Sequence, residues 1–139
     1  MTSKQPQPYA CDAPPSLDDL AALGEQALKT IPAPLAAHLH GLVLRVDDFP
    51  DEETCREMQL QSPFDLLGLY MGRDLAHRSV SDIADAPDMV FLYRRPILDY
   101  WVETGEPLAH LVRHVLIHEI GHHFGFSDDD MDVIESKAD

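Results

Sequence analysis

One helix is dictated before anything else in the chain. Leu108, Leu111, Val112, Val115, Leu116, Ile120 and Phe124 recur at three- and four-residue spacing, with no proline between positions 108 and 124. That is the core stripe of an amphipathic helix. Pro107 suits its first turn. On this helix His118 and His122 stand four residues apart, so their imidazoles share one face and can meet on one metal ion. Glu119 sits beside the first of them and can reach a water there. Gly125 can take the backbone conformation that ends the helix and turns the chain back. Asp128 then offers an oxygen as a third donor. Three protein donors and an open fourth position are the pattern of a catalytic zinc (Zn2+) site rather than a closed structural one. The extended spacing H-E-x-x-H-x-x-G-x-x-D is far more specific than the short motif alone.

Each of these residues also has a plainer reading. Asp128 can be a first-turn acid favoured by the helix dipole, because Ser127 and Asp130 form a capping-box pattern that opens a last helix at residues 128–136. Asp129, Asp130, Asp132 and Glu135 are fallback donors. Gly121 weakens the helix by about 1 kcal/mol relative to Ala, which suggests close packing there. His114, one turn before His118, can orient a ligand or be an idle helix-face residue. His123 projects about 100° away from His122 and is not expected to bind metal. His110 reads as surface. Tyr70 and Tyr93 can donate to an oxyanion or fill the core. Arg94 and Arg95 can clamp a carboxylate or pair with the chain's many acids. Trp101 reads as a core anchor.

The rest of the chain gives a coarse map. Residues 1–15 form a polar, Pro-rich tail, and residues 16–139 a single domain. Ser16, with Asp19 as capping-box partner, opens a helix that runs to about residue 30 with Leu17, Leu20, Leu23 and Leu28 on its apolar side. A helical turn at residues 35–39 leads into a strand at residues 42–46. Pro50 starts a short acidic helix at residues 51–59. Further strands are expected at residues 66–71 and 89–93, with a polar loop between them. Pro96 opens a helix to about residue 103. This order predicts an α+β fold, with a small mixed sheet packed on the first helix and the metal-binding helix.

Composition narrows the partners. The chain has 139 residues, 45% of them hydrophobic, enough for a real core. With 25 acidic and 10 basic residues the net charge is −15. Such a field repels phosphate backbones, so no nucleic-acid partner is expected. Cys11 and Cys55 are too few for a disulfide scaffold and lack metal-ligand spacing. The N-terminus has no apolar core of a secretory signal, and no apolar run is long enough to span a bilayer. The expectation is a cytoplasmic, reduced protein without a membrane partner. Nothing in the sequence reports on oligomeric state.

Three blocks carry a family resemblance. They are Phe64-Asp65-Leu66-Leu67-Gly68-Leu69-Tyr70, then Val90-Phe91-Leu92-Tyr93-Arg94-Arg95-Pro96-Ile97-Leu98-Asp99, and the segment 112–126 with its metal motif. Together they span residues 62–130 and resemble a family of small bacterial zincin-like metallopeptidases. The resemblance implies a compact zincin-like domain, zinc held by His118, His122 and Asp128, and Glu119 as general base. It implies a peptide or protein substrate, paired with an exposed edge strand for which residues 66–70 are the candidate. The chain resembles metzincins in Gly125. It differs in carrying Asp128 where they carry His, and Met131, only three residues past Asp128, is too close to serve as their Met-turn does.

Three function classes fit these readings. The first is zinc-dependent hydrolysis of peptide bonds, with Glu119 relaying a proton. The second is a non-catalytic, zinc-containing protein that binds a peptide or partner on a zincin scaffold. The third is a different zinc hydrolase, such as an RNA nuclease with three histidines at the same offsets. Glu119, Asp128 and the charge of −15 argue against that third class.

Overall fold

Every strand of the sheet is short, so the helices packed on it set the architecture. The computed structural model describes residues 13–72 and 87–138. The expected tail, apart from residues 13–15, and most of the expected polar loop lie outside the described residues. Helix α1 spans Leu17–Lys29. Ser16 Oγ accepts the Asp19 N–H at 3.0 Å, and Asp19 returns a bond to the Ser16 N–H at 2.8 Å, so the expected capping box is formed. A short helix α2, Ala33–Ala36, precedes strand β1, Val43–Asp47. Helix α3, Glu52–Glu57, is capped by Asp51, whose side chain accepts the Thr54 N–H. Strands β2, Gly68–Met71, and β3, Met89–Tyr93, follow. Helices α4, Arg94–Thr104, α5, Leu108–His123, and α6, Asp128–Ala138, complete the chain.

Some boundaries differ from the sequence reading, for local reasons. The helical turn expected at residues 35–39 begins earlier, because Pro32 caps it and Pro34 fits its first turn. The strand expected at residues 66–71 is shorter, because Ser62 and Asp65 cap a 3-10 turn at Pro63–Asp65 just before it. Pro96 does not open α4 but lies in its first turn, where its missing N–H costs nothing. Pro107 likewise sits one residue before α5, as its N-cap.

The sheet order is β1-β3-β2, with β1 parallel and β2 antiparallel to β3. The fold is therefore α+β with a small mixed sheet, as expected. Helices α1 and α5 pack on each other and on the sheet. Between them lie Leu20, Leu92, Val112, Val115 and Leu116, all buried. Trp101 packs against this core from its margin. Among the described residues β2 pairs only with β3.

Gly68 lets that edge approach the metal-binding helix. A Cβ at this position would lie 2.7 Å from Val115 Cγ1 and 2.9 Å from the Phe91 carbonyl oxygen. The carbonyl belongs to the sheet ladder and cannot swing aside. Gly68→Ala is therefore expected to cost about 1–3 kcal/mol of stability by overpacking. A denaturant titration that shows no loss would mean that β2 and α5 are not so closely apposed.

Candidate metal centre

The last turn of α5 sets the geometry of the site. Gly125 has φ +84°, and its N–H bonds the His122 carbonyl at 3.1 Å. The Phe126 N–H bonds the Gly121 carbonyl at 2.9 Å. These paired bonds form a Schellman motif, which reverses the chain at once. Ser127 then caps α6, its Oγ accepting the Asp130 N–H at 3.0 Å while Asp130 accepts the Ser127 N–H at 3.2 Å. The return places Asp128 on the first turn of α6, with Oδ1 3.0 Å from His122 Nε2. The first-turn reading and the donor reading of Asp128 are thus compatible.

Among the described residues, two groups of three donors are close enough to share an ion. They are His118 with His122 and Asp128, and His114 with His118 and Glu135. In each group the donor atoms lie within 4.8 Å of one another. Asp129, Asp130, Asp132 and His123 join neither group. His118 Nε2 is buried and makes no hydrogen bond. Burial, and then the neighbouring His114, hold the His118 pKa below its ordinary value, so its nitrogen stays neutral with a lone pair to give. The His122 hydrogen bond holds the Asp128 carboxyl below its ordinary range, leaving it ionised.

Glu119 faces the strand edge. A Cβ at Gly68 of β2 would lie 3.6 Å from Glu119 Cγ. Burial raises the Glu119 pKa, against the opposing pull of His122 and of the Tyr70 backbone N–H. The register accounts for the contact. The Tyr93 N–H bonds the Leu67 carbonyl, which makes 67 and 93 a hydrogen-bonded pair. Pairs alternate along an antiparallel ladder, so the backbone groups of Gly68 and Tyr70 point away from β3, towards the open edge.

The other candidates make contacts of their own. The Tyr70 hydroxyl donates to Asp88 at 2.6 Å, and its ring stacks on His123 at 4.0 Å. Tyr93 is buried in the core. Arg94 pairs with Asp48 at 3.0 Å and donates to the Pro15 carbonyl at 2.6 Å. Arg95 lies over the Phe49 ring at 5.5 Å. His110 pairs with Glu106 on the surface. His114 is not idle: its Nδ1 lies 2.8 Å from Glu135 Oε2. Sequence reasoning missed the packing of Glu119 against Gly68 and the meeting of His114 with Glu135. Neither pairing has a spacing signal.

Burial raises the pKa of Tyr70 and of Tyr93 well above the ordinary phenol value. The unfolded chain releases these protons above pH ~10, while the folded chain keeps them. Stability is therefore expected to fall as the pH rises past about 10. Urea midpoints at pH 9 and 11 measure this, and equal midpoints would contradict it.

With the helix, its reversal and the donor cluster defined, the comparison with known families is decisive. The family model for zincin-like metallopeptidases matches residues 39–138, well over half of the chain. The chain belongs to this family. No curated protein matches it. Family membership implies a metal ion, usually zinc, and hydrolase chemistry at family level. The donors present fit such an ion: two imidazoles and a carboxylate are a zinc-type set, and His118 offers a buried nitrogen that no described residue hydrogen-bonds. No helix among the described residues is long and apolar enough to cross a membrane.

Proposed function

We propose that the chain is a zinc-dependent peptidase in which His118, His122 and Asp128 hold the ion and Glu119 is the general base. The observation that carries this reading is the convergence of His118, His122 and Asp128 on one point, with Glu119 packed against Gly68 of β2. A peptide laid along β2 as an added strand runs past this carboxylate. When bound, zinc would acidify a water towards pKa ~7 and polarise the substrate carbonyl. Glu119 takes the proton of the attacking water and gives it to the leaving amine. Its partly buried position keeps it basic enough for both transfers. Gly68 keeps the edge free of a side chain beside Val115 and Glu119.

The preferred substrates are neutral or cationic peptides, since the chain carries −15 overall and Asp128, Asp129 and Asp130 stand together at the start of α6. The site is expected to work in the reducing cytoplasm on peptides or protein segments, without nucleic acid or membrane. The test is a mixed peptide library incubated with zinc-loaded protein and read by mass spectrometry. New N-termini that vanish on chelation support the reading. A fully zinc-loaded chain that cleaves nothing would replace it with the non-catalytic peptide-binding alternative.

A further inference from the structure

The second donor group is the better buried of the two. The Glu135 side chain is 13% exposed and that of His118 19%, against 55% for His122 and 79% for Asp128. A carboxylate so withdrawn from water is costly unless a positive charge compensates it. Among the described residues the partners of Glu135 are His114 Nδ1, at 2.8 and 3.1 Å, and His118 Nε2, at 3.4 Å. The His118 nitrogen is not aligned for a hydrogen bond with it. The rings of His114 and His118 lie 4.0 Å apart, tilted by 35°.

Zinc-ligand bonds of about 2.0–2.2 Å in tetrahedral array put donor atoms roughly 3.3 Å apart. The His118–Glu135 separation has that value, and the His114–Glu135 separation needs only a small opening by a half-exposed histidine. We propose that His114, His118 and Glu135 form a second binding position for a zinc-like divalent cation, separate from His122 and Asp128 and sharing His118 with them. Two imidazoles and one carboxylate suit Zn²⁺, and also Co²⁺ or Ni²⁺. One imidazole nitrogen bonds one ion. An ion held through His118 Nε2 by Glu135 and His114 therefore excludes an ion that uses the same nitrogen with His122 and Asp128.

The test removes the first position and asks whether metal still binds. A His122→Ala/Asp128→Ala chain alters two exposed side chains and is titrated with Co²⁺, whose visible bands report coordination. The expected result is one Co²⁺ per chain, with affinity lowered at least tenfold when either His114→Ala or Glu135→Gln is added. A folded double variant that takes up no more Co²⁺ than those triple variants overturns the proposal. Should the double variant not fold, His122→Gln alone serves, with the ¹⁵N resonances of His114 followed during zinc addition. Movement of the His114 Nδ1 signal supports the second position, and an unmoved signal at zinc saturation overturns it. The His114→Ala chain reports the first position alone. Loss of metal there would count against the proposed peptidase site and leave the second position standing.

Discussion

Glu119→Gln is expected to lower peptide hydrolysis by about 10²- to 10⁴-fold while zinc uptake stays unchanged. The substitution keeps the size of the side chain and its packing beside Gly68. It removes the one property that the chemistry needs, a carboxylate able to take and return a proton. Glu119 belongs to neither donor group, so the metal should be indifferent to the change. Steady-state rates on a cleaved peptide, paired with zinc stoichiometry, separate the two effects. Unaltered hydrolysis in the variant would remove Glu119 as the base. Lost zinc would mean that the carboxylate binds the ion itself.

Gly121→Val is expected to destabilise the chain by about 3 kcal/mol, the upper end of overpacking costs. For a domain of this size that is on the order of 10 °C in Tm. Gly121 lies inside the metal motif, and a Cβ there would sit 2.2 Å from Met131 Sδ and 2.8 Å from Met131 Cγ. Met131 is fully buried and cannot retreat into water. Ordinary carbon contacts are ~3.5–4.0 Å, so Met131 must move by more than ~1 Å, and α6 with it. That helix carries Asp128 and Glu135, so zinc affinity should fall together with Tm. Thermal melts with and without zinc measure both. A stable variant with normal zinc affinity would show that the Gly121–Met131 contact does not position α6.

Local signals were legible. The apolar stripe from Leu108 to Phe124 forms α5, and the capping boxes at Ser16 and Ser127 are both made. Gly121 reads as a close-packing residue from sequence, yet nothing in the sequence names Met131 as what fills it. Contacts that depend on tertiary register were not legible. The Tyr70 N–H acts on Glu119 because β2 pairs with β3 in one register rather than its neighbour, and a one-residue slip would turn that N–H away. His114 and Glu135 are 21 residues apart and meet only because the Schellman turn at Gly125 folds α6 back along α5. The prolines misled at boundaries. Pro96 and Pro107 mark the neighbourhood of a helix start, while the capping geometry fixes the residue.

The most direct test of the account is the position of the metal. A crystal grown with one equivalent of zinc, measured at the zinc absorption edge, gives this from anomalous scattering alone. The account predicts one strong peak enclosed by His118, His122 and Asp128, beside the Glu119 carboxylate. No peak at full zinc loading, or a single peak remote from His122 and Asp128, would contradict it.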